Sequence, residues 1–309
     1  MRACRPMCKP NGLLHGRTGR MLSVMEIGER ITLATLRERK RSGRKFSVLT
    51  CYDAPTARIM AAAGVEVLLV GDTSGEVVLG LPSTRETPVD YLLTITAAVR
   101  RAALAPYVMA DLPFVCRQQG AASVARWTRR FMDETGCDGV KVEVKADEAD
   151  LVRAASAAGV PVIAHLGLLP QMIDPATGYK AQARDAAGAA KLIRSAREME
   201  AAGASALLLE AVASEVAARI AAATELPVIG CVAGPGCDGT VVVLHDMLAW
   251  GGGHPPRAVK QYANLGAVLG PAFTAYVQDV QAGRFPAAEH SISMHPGELA
   301  KLTAELGEA

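Results

Sequence analysis

Residues Gly139–Leu166 read GVKVEVKADEADLVRAASAAGVPVIAHL. The first six residues form a β-rich run, the middle is Ala-rich with helical character, and PVIAHL is a second β-rich run. PVIAHL is almost continuously apolar, the pattern of a parallel strand buried on both faces. A helix of this length is the usual crossover between parallel neighbours.

The same unit recurs on both sides. Further β-rich runs lie at Phe46–Thr50, Val65–Val70, Tyr107–Ala110, Ser205–Leu209, Pro227–Cys231 and, less clearly, Val241–Leu244. Helical stretches lie at Ala54–Ala63, Val89–Ala103, Ala121–Glu134, Asp185–Ala202 and Ser214–Ala223. Repeated βα units of this kind predict an α/β fold, a (β/α)8 TIM barrel. A doubly wound open sheet is the alternative, weakened because no G-x-G-x-x-G follows the first run. A first helix is expected from near Met25, with Ile27, Ile31, Leu33 and Leu36 apolar, ending in the basic run Arg37–Arg44. One or two helices within residues 260–289 are expected to pack outside the barrel. The expected organisation is a basic extension over 1–24, a single barrel domain over 25–295 and a C-terminal tail over 296–309.

The 309 residues are 50% hydrophobic and 21% charged, which suits a sizeable core and excludes a disordered chain. No apolar run of about 18 residues escapes a polar break, so no membrane span is expected. Aromatic content of 4% argues against a stacking surface for single-stranded nucleic acid. The net charge of +2 hides an asymmetry, because the first 50 residues carry 12 Lys and Arg against 3 Asp and Glu. A nucleic-acid role would rest on that segment alone, and a solvated basic arm is the simpler expectation. Seven scattered cysteines suit reduced thiols and a cytoplasmic location. Cys4 and Cys8 have no two further zinc ligands nearby.

Active sites of such barrels are built at the C-terminal ends of the strands. Reading those ends in order gives Asp72 and Thr73, then Asp111, then Lys141 and Glu143 at alternate positions of one strand, then His165, then Glu210. Taken singly, an Asp after a strand is often a turn former or helix cap. Taken together, these side chains would converge on one mouth, where unpaired buried charge costs several kcal/mol per ion. A divalent cation on Asp72, Asp111 and Glu143 would offset that charge, and all-oxygen ligation favours Mg²⁺.

The chain resembles the ketopantoate hydroxymethyltransferase family. The matching segments include TCYD (Thr50–Asp53), VGDTSGEVVLG (Val70–Gly80), ADLPF (Ala110–Phe114), VKVE (Val140–Glu143), HLGLLPQ (His165–Gln171), GYKAQAR (Gly178–Arg184) and LLLE (Leu207–Glu210). Further matches run to FPAAEHS (Phe285–Ser291), so the resemblance covers about residues 30–295. It implies a (β/α)8 barrel and transfer of a one-carbon unit from 5,10-methylenetetrahydrofolate, a cosubstrate, to 3-methyl-2-oxobutanoate. It also implies that Asp72 and Asp111 hold Mg²⁺, with Glu143 a third or water-mediated ligand. Asp72, Thr73, Asp111 and Lys141 would contact the 2-oxo acid, His165 would sit against substrate or product, and Glu210 would accept the proton. A homodecamer is implied as well, with no nucleic-acid or membrane partner.

Several loop residues depart from the family pattern. Thr73 stands where the family has Ser, and Arg85-Glu86-Thr87-Pro88 replaces an apolar residue followed by Pro. Val144-Lys145 stands in place of two glycines, and GIGAG has become Gly230-Cys231-Val232-Ala233-Gly234. Lost glycines at strand ends restrict the backbone or the space for a ligand. Two other readings follow. One is a metal-dependent 2-oxo acid lyase or mutase of the phosphoenolpyruvate mutase type, although its Lys-Cys-Gly-His loop does not occur here. The other is a divergent, non-catalytic paralogue.

Overall fold

A computed structural model describes residues 29–173, 178–251 and 257–307. The expected extension over 1–24 and the start of the first helix near Met25 lie outside them. The elements run in order α1 (Leu33–Arg41), β1 (Phe46–Thr50), α2 (Ala54–Ala62), β2 (Val67–Val70), α3 (Ser74–Val77), α4 (Val89–Ala102), β3 (Tyr107–Asp111), α5 (Phe114–Arg117), α6 (Ala121–Thr135) and β4 (Gly139–Glu143). They continue as α7 (Ala149–Ala157), β5 (Val162–Gly167), α8 (Ala186–Ala201), β6 (Ala206–Glu210), α9 (Ser214–Ala223), β7 (Val228–Cys231), β8 (Gly239–Val242), α10 (Leu244–Met247), α11 (Gly266–Gln281) and α12 (Glu298–Leu306). The strands close in sequence order, β1 to β8 and back to β1, every pair parallel. This is the expected (β/α)8 barrel. The eighth strand begins and ends two residues before the expected run, and Leu244 already opens α10.

Two apolar layers hold the barrel. Inside it, Phe46, Val48, Val67, Leu69, Tyr107, Met109, Ile163, Leu208, Ile229 and Val241 pack together, closed at the N-terminal end by Leu36 of α1. Between strands and helices lies the larger cluster, with Leu68, Val70, Val108, Val140, Val142, Ala164, Leu207 and Leu209 pointing outward. Fully burying one such Val, Leu or Ile contributes roughly 1.5–3 kcal/mol. The two clusters alternate residue by residue along each strand, and that alternation fixes which side chains face the barrel axis.

Helix α1 starts later than expected. Ile31 and Thr32 precede it, and Thr32 caps it by accepting a hydrogen bond from the Thr35 N–H. Its basic run is partly consumed by the barrel floor: Arg39 pairs with Glu66 at 2.8 Å and Lys40 with Asp238 at 2.8 Å. Asp53, within the TCYD segment, is the N-cap of α2 and accepts from the Thr56 N–H at 2.8 Å.

The helix layer is incomplete at one place. The β7–β8 connection, residues 232–238, carries no helix, and among the described strand residues Ser47 of β1 and Thr240 of β8 are the exposed ones. Helix α11 falls within residues 260–289, where one or two helices were expected to pack outside the barrel, yet it has no buried residue, and neither has α12 in the expected tail. On α11, Phe273, Tyr276, Val277 and Val280 are all exposed and share one face by their i, i+3, i+4, i+7 spacing.

Candidate active site

Alternation along the strands places the polar residues. In β4, Gly139, Lys141 and Glu143 share the inward face; in β3 so do Tyr107, Met109 and Asp111; in β5 Ile163 and His165; in β6 Ala206, Leu208 and Glu210. The lower residues of each set fill the apolar interior, and the last ones form a polar layer at the C-terminal mouth. Strand register then aligns Asp111 with Lys141, and Glu143 with His165. Asp72 arrives from the turn after β2. Gly167, at φ +95°, lets β5 and β6 close tightly, since a Cβ there would stand 2.4 Å from the Glu210 carbonyl oxygen.

These side chains form one connected series. Lys141 Nζ donates to Asp111 Oδ2 at 2.6 Å, and the Asp72 N–H reaches the same oxygen at 3.4 Å. Gln171 Nε2 donates to Asp72 Oδ2 at 2.8 Å, and the Gln171 N–H donates to Glu143 Oε2 at 3.1 Å. Glu143 Oε1 stands 3.7 Å from His165 Nδ1, and His165 Nε2 stands 3.3 Å from Glu210 Oε2. Neither His165 nitrogen makes a hydrogen bond among the described residues. All of these residues are buried except Glu210, whose side chain keeps 21% of its exposure. Thr73 follows Asp72 at the mouth and is partly exposed, with its side chain outside this series.

The electrostatics follow from burying three carboxylates beside one lysine. Burial, then the neighbouring Asp111, pushes the Asp72 carboxyl well above the usual carboxylate range. Glu143 is raised too, by burial first, then by Asp72 and Asp111 against the opposing pull of Lys141. Burial disfavours the Lys141 charge, but Asp111, Asp72 and Glu143 outweigh it and hold the ammonium above its ordinary pKa. Burial, then Lys141, lowers His165, so its ring is neutral at pH 7. The site is thus short of positive charge.

Its donor set is one for a hard cation. Asp111 Oδ1 and Glu143 Oε1 are buried without a hydrogen-bond partner among the described residues. No three His, Cys, Asp or Glu side chains among those residues stand close enough to enclose an ion unaided. Two carboxylates plus water and substrate oxygens is the mode in which Mg²⁺ is usually held, so the residues fit such an ion.

Two features escaped sequence reasoning. Gln171 lies within the HLGLLPQ segment, but nothing in its type announced a role. An aromatic group gathers where β1 and β8 end: Tyr52 and His245 lie 5.7 Å apart, and His245 stacks on Trp250 at 4.9 Å.

The family model described as ketopantoate hydroxymethyltransferase matches residues 30–288. The chain belongs to this family. It is 40% identical over 271 residues to the 3-methyl-2-oxobutanoate hydroxymethyltransferase of Halalkalibacterium halodurans, covering 88% of this chain and 97% of that protein. It is 42% identical over 259 residues to the enzyme of the same name from a Geobacillus strain, covering 84% and 93%. Family members are transferases, which agrees with the expectation drawn from the motifs. Among solved structures, a phosphoenolpyruvate phosphomutase from Streptomyces platensis superposes with a TM-score of 0.55 at 18% identity, covering 89% of this chain and 95% of that one. A 2,3-dimethylmalate lyase does so with a TM-score of 0.55 at 19% identity, covering 90% and 100%. At that identity the likeness shows the barrel fold alone.

Proposed function

We propose that this chain transfers a hydroxymethyl group from 5,10-methylenetetrahydrofolate to 3-methyl-2-oxobutanoate, giving 2-dehydropantoate on the route to pantothenate and coenzyme A. The observation that carries this reading is the convergence of Asp72, Asp111, Lys141, Glu143, His165 and Glu210 at one mouth in a chain of this family.

The C3–H bond next to the ketone is the obstacle, because its proton leaves only if the charge developing on the 2-oxo acid is stabilised. Asp72 and Asp111 would hold Mg²⁺, with Glu143 as a third or water-mediated ligand, and the bound ion would supply Lewis-acid stabilisation of that charge. Lys141, fixed by Asp111, adds a positive charge in the same dry layer. Glu210 takes the C3 proton, as a carboxylate at the partly open end of β6 backed by a neutral His165. Thr73 and His165 line the substrate. The C3 electron pair bonds to the methylene carbon as that carbon's two bonds to the folate nitrogens break. A water molecule supplies the hydroxyl group, and its other proton and the C3 proton end on the two nitrogens of the departing tetrahydrofolate.

The test is direct. The full chain is supplied with Mg²⁺, 3-methyl-2-oxobutanoate and 5,10-methylenetetrahydrofolate, and 2-dehydropantoate is measured by mass spectrometry. Cleavage of a 2,3-dialkylmalate or isomerisation of phosphonopyruvate, without 2-dehydropantoate formation, would favour the lyase or mutase reading instead.

We further propose a cytoplasmic homo-oligomer. The five cysteines among the described residues are all free thiols, and no described helix is long and apolar enough to cross a membrane. The apolar face of α11 supports self-association, because a surface of this kind marks an interaction site.

A further inference from the structure

Gln171 comes from the segment after β5, yet it reaches groups carried by three other strand ends. It is completely buried. Its Nε2 donates to Asp72 Oδ2 at 2.8 Å and to the Leu112 carbonyl oxygen at 2.9 Å. Its backbone N–H donates to Glu143 Oε2 at 3.1 Å. The amide can be oriented only one way, because both neighbours of that atom are acceptors and only an NH₂ satisfies them.

The consequence concerns which carboxylate oxygens are free. Asp72 Oδ2 and Glu143 Oε2 are taken by Gln171, as Asp111 Oδ2 is taken by Lys141. Among the described residues, the buried oxygens of this cluster left without a partner are Glu143 Oε1, Asp111 Oδ1 and the amide oxygen Oε1 of Gln171 itself. A carboxylate without such a tether turns about its last torsion, which is broad and nearly two-fold. Holding one oxygen therefore selects the other for a ligand.

The segment carrying Gln171 is itself pinned. Pro170 opens a short 3₁₀ turn with a preset φ, and the Met172 N–H donates to the Leu169 carbonyl at 2.8 Å. The buried Arg117 of α5 donates to Met172 Sδ at 3.0 Å while paired with Glu148. Gln171 thus stands on a fixed base.

We propose that Gln171 is the positioning residue of the carboxylate cluster: it orients Asp72 and Glu143 so that their remaining oxygens face a divalent cation. This rests on the reading of the mouth as a Mg²⁺-dependent site. Outer partners of metal ligands of this kind typically change affinity by roughly 10–100-fold when removed.

The experiment measures Mn²⁺ binding to the full chain by electron paramagnetic resonance without substrate, in the parent, Gln171→Met, Gln171→Ala and Asp111→Asn. Both Gln171 variants keep the backbone N–H that holds Glu143 and lose the side-chain amide that holds Asp72, and Gln171→Met also keeps the bulk. The expected result is Mn²⁺ binding about 10-fold weaker or more in both Gln171 variants, with unfolding midpoints near that of the parent. Activity of both variants should recover as Mg²⁺ is raised, a response that general structural damage would not give. Loss of binding in Asp111→Asn alone, with both Gln171 variants binding like the parent, would overturn the inference while leaving the metal site standing. Equal binding in all four proteins would instead remove the metal reading itself. Failure of both Gln171 variants to fold would make the residue a structural one and would also overturn the inference.

Discussion

Lys141 Nζ lies 2.6 Å from Asp111 Oδ2, across two neighbouring strands and out of reach of solvent. Among the described residues it is the one lysine in a layer that also buries Asp72 and Glu143, and all three carboxylates stabilise its charge. Two substitutions probe the pair unequally. Lys141→Met leaves three buried carboxylates with no cation and should destabilise the fold by about 3–5 kcal/mol, the scale for breaking a buried pair. Asp111→Asn leaves Lys141 facing Asp72 and Glu143, so it should fold nearly normally yet lose most Mg²⁺-dependent activity. Urea unfolding and Mg²⁺ titration of the rate check both. An Asp111→Asn variant fully active at low Mg²⁺ would contradict the role given to Asp111.

Glu210→Gln keeps size and polarity but cannot accept a proton. It should bind Mg²⁺ and 3-methyl-2-oxobutanoate almost as the parent does, while losing on the order of 10²-fold or more in rate. Exchange of the C3 hydrogen in deuterated water, followed without folate, isolates the step. Exchange at the parental rate would assign the base elsewhere.

Val232 stands at φ +52°, a left-handed conformation that β-branched residues rarely adopt. The resemblance implies glycine at this position, and the left-handed region costs an ordinary residue roughly 1–2 kcal/mol. Val232→Gly should therefore stabilise the barrel by about 1 kcal/mol, less what glycine adds to the entropy of the unfolded chain. The thermal midpoint reads it directly. By contrast, Val144, also in place of a family glycine, has no left-handed backbone, and its N–H extends β4 by donating to the His165 carbonyl at 3.0 Å.

Phe273 and Tyr276 project from the exposed apolar face of α11. Replacing both by Asp should shift the protein towards monomer in sedimentation or light scattering, with the barrel's circular dichroism unchanged. An unchanged mass would place any subunit contact on another surface.

Burial pushes the Cys51 and Cys116 thiols up to about 12, and the Cys137 and Cys237 thiols to about 11. Unfolded thiols titrate near pH 8.5. Above that value the unfolded chain gives up protons that the folded chain keeps, so stability falls as pH rises. This contribution is fully present at neutral pH and is lost between about pH 9 and 12. Denaturant midpoints measured from pH 7 to 10.5 should decline over the upper part of that range. Replacing Cys51 and Cys116 by Ala should flatten the decline.

Much of the barrel was legible in the residues themselves. Unalternating apolar runs such as PVIAHL and SALLL are too short for helices and are each flanked by a helix-length stretch, which is the pattern of parallel strands covered on both faces. The ionisable candidates were legible for a related reason: Asp111, Lys141, Glu143, His165 and Glu210 interrupt runs that are otherwise apolar. A charge at a strand end in such a run has few places to go except the mouth.

What the sequence alone determined, then, is the strand-and-helix alternation and which charges would gather at the strand ends. Those follow from local periodicity and from the energy of burying charge. Tertiary structure decided the rest, because it depends on contacts between residues far apart in the chain. Gln171 meets Asp72 across 99 positions, and no spacing or composition encodes that meeting. The late start of α1 depends on the Thr32 cap, and the isolation of α11 depends on what the barrel leaves uncovered. The strain at Val232 appears only once a turn forces its φ positive. Each is a matter of where closure of the barrel carries the backbone, and closure is a property of all eight strands together.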